Sequence, residues 1–170
     1  MRTGYKQPNL LIRLETVLGK DELLLYEFLG EEFISDTFIF NLKLRSSNMS
    51  IETEKLLGTD ASITIFDDGQ TKKEFHGIIS YINQMGLDAE FSYYEIKVIP
   101  RVSLLKYTEN RRIFQNLNAV EIIVGLLNAN KIEFEMRLTN TYEKREYCVQ
   151  YDESDFDFIS RLLEDEGIFY

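Results

Sequence analysis

A period-two alternation of apolar and polar residues runs through the first hundred residues and leaves few folds open. Phe38, Phe40, Leu42 and Leu44 take one side, against Asn41, Lys43 and Arg45 on the other. Leu10, Ile12 and Leu14 alternate in the same way against Arg13 and Glu15. That spacing belongs to half-buried β-strands. Residues 75–84 offer apolar groups to both faces, which marks a central strand or one that contacts another subunit. Turn signals punctuate the pattern at Gly19-Lys20-Asp21, at Asp67-Asp68-Gly69 and over residues 86–90. Six strands at this spacing, with a short helical or irregular turn over residues 53–58, predict a β-barrel or sandwich.

The alternation gives way at Pro100. Asn118 is placed to cap a helix, with Glu121 completing a capping box and Leu117 with Ile122 forming a hydrophobic staple. Ile122, Ile123, Leu126 and Leu127 make the apolar stripe of that helix, which is expected to end near Ala129-Asn130. Two short strands are expected next, over 132–138 and 146–151. A second helix is expected from Ser154, whose hydroxyl caps the amide of Asp157. Phe158, Ile159, Leu162 and Leu163 form its buried stripe, and Arg161 is spaced to pair with Asp157 and Asp165. Gly167 suits the left-handed position that ends a helix. Residues 168–170 read as the opening of a further strand, so the pattern predicts a fold that continues. The predicted class is α+β, mainly β: a β-barrel domain over 1–100, then an incomplete α+β region over 101–170.

Composition narrows the function classes. The 170 residues carry 19 basic and 29 acidic side chains, a net charge of −10, which repels phosphate backbones. No nucleic-acid partner is expected. The densest apolar run, 23–29, is broken by Glu27 and is far shorter than the ~20 residues that span a bilayer. No signal-peptide h-region is legible at the N-terminus, and no membrane insertion is expected. Cys148 is the single cysteine and lies in an alternating run, where a buried apolar thiol is the plain expectation.

Four features invite a chemical reading. Asp152, Glu153, Asp155 and Asp157 cluster at one helix start, but the spacing lacks the Gly and later Glu of a calcium loop. Helix capping and the helix dipole account for them better. His76, the single histidine, has no Ser, Cys or acid brought to it by sequence, and no G-x-S-x-G elbow exists. Cys148 has no Cys or His companion. Arg111-Arg112 is a small basic spot suited to local salt bridges. The sequence therefore predicts no catalytic residue, no metal site, no cofactor and no enzyme.

Several stretches, in order, resemble the VgrG spike proteins of type VI secretion. They are Phe28-Leu29-Gly30-Glu31-Glu32 with Ser35 and Phe38-Ile39-Phe40, then Leu56-Leu57-Gly58 and Phe75-His76-Gly77. Arg112-Ile113-Phe114-Gln115 and Asn118-Ala119-Val120-Glu121-Ile122-Ile123 follow. The most specific are Tyr147-Cys148-Val149-Gln150-Tyr151, Glu153-Ser154-Asp155-Phe156-Asp157-Phe158 and Glu166-Gly167-Ile168. Arg101-Val102 departs from the aromatic and aliphatic pair that the family often has there, and the chain has no Trp. The resemblance implies a phage-tail-hub-like fold with tube-type barrel domains and assembly as a homotrimer. It implies docking to the hexameric Hcp tube, further spike, baseplate or effector partners, and passage from the cytoplasm by sheath contraction. Family members commonly continue into an oligonucleotide/oligosaccharide-fold domain and a β-helical needle, so puncturing is not carried over to these residues. A hub of a phage-like contractile tail, a spike-borne enzyme and a stand-alone binding barrel are the competing readings.

Overall fold

The computed structural model describes residue 6, residues 11–67 and residues 70–170. The chain divides into two compact units, one made of residues up to Glu32 with Phe38–Pro100, the other of Phe33–Thr37 with Arg101–Tyr170.

The first unit is a six-stranded, wholly antiparallel sheet in the order β1-β4-β5-β6-β3-β2. Its strands are β1 (Ile12–Thr16), β2 (Leu24–Glu31), β3 (Ile39–Ser46), β4 (Asp60–Asp67), β5 (Gln70–Leu87) and β6 (Ser92–Ile99). The alternation in β3 behaves as the sequence predicts: Phe40, Leu42 and Leu44 are buried, while Asn41, Lys43 and Arg45 are half-exposed. They meet Leu14, Ile63, Ile79, Tyr94, Ile96 and Val98 in one core. Gly19 and Asp21, both at positive φ, turn the chain between β1 and β2. These two strands do not form a hairpin: β1 pairs with β4 and β2 with β3, so they are the two edges of a curled sheet.

β5 is 18 residues long and explains the two-faced pattern. Its first half, to Ile78, pairs with β4, and its second half, from Ile78, pairs with β6, with register shifts near Ser80 and Met85. A strand that hands over from one neighbour to the other within a residue must bend, and bulges supply the bend. Gly77 sits at the handover. A Cβ there would lie 2.5 Å from the Ile99 carbonyl oxygen and 2.8 Å from Val98 Cγ1. Beside it the rings of Phe38 and Phe40 stack at 4.4 Å, with Phe75 edge-on to Phe40 at 4.7 Å.

Asp67 pairs with Gln70, but Asp68 and Gly69 lie outside the described residues, as does Leu10 of the first alternating run. The turn expected over 86–90 occupies the later part of that range, because β5 continues through Gly86 to Leu87. The reversal hangs instead on Asp88, whose carboxylate accepts from the amides of Glu90 and Phe91 at 2.7 Å each. These amide bonds, with one from the Tyr93 hydroxyl, hold the Asp88 carboxyl below its ordinary value.

The second unit opens with a 3-10 turn over Arg101–Tyr107, followed by β7 (Glu109–Leu117), α1 (Ala119–Ala129), β8 (Arg145–Ser154) and α2 (Asp155–Asp165). β7 was not predicted; it pairs antiparallel with β8, and its half-buried positions include Asn110 and Arg112 while Ile113 faces outward, so its residues show no apolar alternation. Both helix starts follow prediction. Asn118 and Glu121 exchange two hydrogen bonds of 2.8 Å, and Ser154 Oγ accepts the Asp157 amide at 3.0 Å. α2 ends with Gly167 at φ 67°; the Gly167 and Ile168 amides donate to the Glu164 and Leu163 carbonyls, a Schellman motif.

Two strand predictions are overturned. Residues 132–138 alternate Ile132, Phe134, Met136, Leu138 against Glu133, Glu135, Arg137, yet no ladder joins them to any described residue. Residues 168–170 likewise form no strand; Tyr170 accepts one amide hydrogen bond, from Ser35, at 2.8 Å. Alternation sets which way side chains face, but a strand also needs a neighbour with free backbone groups.

Gly77→Ala is expected to destabilise the first unit by about 1–3 kcal/mol, because the obstructing atoms include backbone. Urea denaturation of the variant checks this, and an unchanged midpoint refutes it. Within the second unit, limited trypsin digestion is expected to cut first after Arg137 or Lys144, in the ladder-free stretch. A first cut inside β7, β8 or either helix refutes that.

Candidate functional site

The sequence-flagged residues fall into three places. His76, on β5, faces outward, and the register sets it opposite Ser62 of β4. Its Nδ1 lies 3.1 Å from Ser62 Oγ, and its Nε2 lies 3.9 Å from Glu74. Sequence had offered no serine partner; the sheet supplies one. The ring is 70% exposed on an open strand face. The contact is a cross-strand polar pair.

Cys148, on β8, is buried in the core of the second unit among Phe114 of β7, Ile122 and Ile123 of α1, and Phe158 and Ile159 of α2. The register places it opposite Phe114. It packs as a small apolar side chain, as its alternating position predicts.

The acidic residues at the start of α2 are each engaged separately. Asp152 accepts from Arg111 Nε at 2.7 Å, and Glu153 from Arg161 at 2.6 Å. Asp157 accepts the Ser154 hydroxyl at 2.6 Å. The predicted pairing of Arg161 with Asp157 and Asp165 is therefore replaced: the guanidinium turns back to Glu153 and the Val149 carbonyl. Ser154 occupies Asp157, and Arg145 bonds Asp165 and Glu166. The Arg111-Arg112 pair supplies salt-bridge donors, but to Asp152 and Asp155 across the β7-β8 ladder rather than to neighbours in sequence.

Asp155 differs from its neighbours. It is 1% exposed, and its Oδ1 accepts from Arg112 Nη1 and Gln150 Nε2 at 2.7 Å and from Asn110 Nδ2 at 3.1 Å. Its amide also donates to the Thr108 carbonyl at 2.8 Å. The first residue of α2 thus ties together both strands and the turn before β7. A bulge makes this possible: between Asn110 and Arg112 of β7, β8 advances from Glu153 to Gln150, with Asp152 at φ 47°. Burial pushes the Asp155 carboxyl up, but the bonds from Gln150, Asn110 and Arg112 and the Arg112 charge outweigh it and hold it below its ordinary value. Sequence reading assigned Asp155 to the helix dipole. The signal that places it inside is helical spacing, since 155 shares a face with Phe158, Ile159 and Leu162.

The second unit also has a groove of about 740 Å³ between the helices and the ladder-free stretch, lined by Ile123, Leu127, Phe134, Met136, Ile159 and Phe169 among others. Across β7 and β8, Ile113, Tyr147, Val149 and Tyr151 remain exposed. Among the described residues no group of three His, Cys, Asp or Glu side chains could hold a metal ion. No described helix is long and apolar enough to cross a membrane.

Replacing Asp155 with Ala is expected to cost roughly 3 kcal/mol, near the low end for breaking a buried ion pair, because Arg112 keeps 34% exposure and can be hydrated. The carboxylate's contribution is complete above the unfolded value of ~3.9 and is lost as pH falls through the lower folded value. Asp155→Asn should therefore flatten this part of the acid limb in denaturation against pH. An unchanged acid limb refutes the assignment.

Residues 31–170 match the family described as phage tail baseplate hub (GPD). The chain is 40% identical over 161 residues to the type VI secretion system spike protein VgrG1a of Pseudomonas aeruginosa, which covers 94% of this chain and 25% of that protein. It thus spans about a quarter of that relative's length. Among solved structures it is similar to the E. coli c3393 protein, described as a type VI secretion component with structural similarity to T4 bacteriophage tail proteins gp27 and gp5. That similarity has a TM-score of 0.76 at 26% identity, over 89% of this chain and 42% of the other. The 43 kDa tail protein of prophage MuSo2 from Shewanella oneidensis shares the fold, with a TM-score of 0.66 at 12% identity over 92% of this chain and 48% of that one. A mainly β chain with these matches belongs to the phage tail baseplate hub (GPD) family, on its VgrG spike-protein side.

Proposed function

We propose that this chain is a structural hub segment of a type VI secretion spike. In this reading it assembles as a homotrimer, docks the hexameric Hcp tube to the spike, and is carried from the cytoplasm by sheath contraction. The 40% identity to the Pseudomonas aeruginosa spike protein over 94% of the chain carries the reading. The c3393 likeness supports it from the fold. Residues 1–100 act as one tube-type barrel domain and residues 101–170 as part of a second α+β tube-type region. The chain performs no catalysis: its histidine is held in a cross-strand pair on an open face, its cysteine is packed in a core, and the four acids at the start of α2 are bonded one by one. Effectors and other spike or baseplate components complete the partner set.

The likeness to the prophage tail protein favours a second reading, the baseplate hub of a phage-like contractile tail. At 12% identity that likeness speaks for fold alone, so the type VI reading is preferred.

Light scattering with and without added Hcp tests the proposal, on these 170 residues and on the full-length gene product. The expected mass of this segment is three times 20.0 kDa, with a heavier species when Hcp is present. A full-length product that stays monomeric and ignores Hcp overturns the type VI reading. A trimer that ignores Hcp moves the assignment to the phage-like tail.

A further inference from the structure

We draw no further inference here: the strongest candidate, the apolar groove of about 740 Å³ beside the ladder-free residues 132–138 of the second unit, carries nothing because nothing in the structure shows what covers it.

Discussion

The first unit depends on one strand serving two ladders. β5 hydrogen-bonds β4 along one half and β6 along the other, and the sheet curls where it changes neighbour. Gly77 is the local condition for that change, because any side chain would enter the space of the Ile99 carbonyl. Once β5 is bent, Phe75 and Ile79 reach the core that β3 and β6 line with Phe40, Leu42, Ile96 and Val98. Each fully buried side chain of this kind contributes roughly 1.5–3 kcal/mol, so the core sets the stability and the bend sets its shape.

In the second unit the balance between local and long-range effects is different. A helix cap is worth ~1 kcal/mol, whereas burying the stripe Phe158, Ile159 and Leu162 is worth several times that. The caps therefore determine where α1 and α2 begin, and the stripes determine where they dock. Asp155 links the two scales. It heads α2, and it is also the buried acceptor for side chains from β7 and β8. Three bonds to one oxygen of this buried carboxylate favour the bulged register of the β7-β8 pair and the docking of the helix that satisfies them.

Local rules explain what was legible. The alternation of Phe40, Leu42 and Leu44, the capping box at Asn118 and Glu121, the Ser154 cap and the left-handed Gly167 all depend on chemistry within a few residues. Where the reading failed, the deciding contact lay outside the periodic pattern. Residues 132–138 alternate like a strand but find no ladder. Arg161 has acids at helical spacing, yet it bonds Glu153 and the Val149 carbonyl across the turn, while Asp157 and Asp165 bond Ser154 and Arg145. β7 went unseen because its half-buried positions include Asn110 and Arg112 beside Phe114, so its sequence shows no apolar alternation.

The candidate site divides in the same way. That Cys148 would be buried follows from its place in an alternating strand, whereas the acids that Arg111 and Arg112 meet, Asp152 and Asp155, are brought to them by the pairing of β7 with β8. The sequence alone determined the family, the strand-rich character and the helix starts. Only the tertiary structure decided that Ser62 faces His76, that Asp155 is buried beneath three donors, and that residues 132–138 stay without a ladder. The physical reason is range. Period and capping act over neighbouring residues, whereas cross-strand register and the satisfaction of a buried charge depend on residues that only the completed fold brings together.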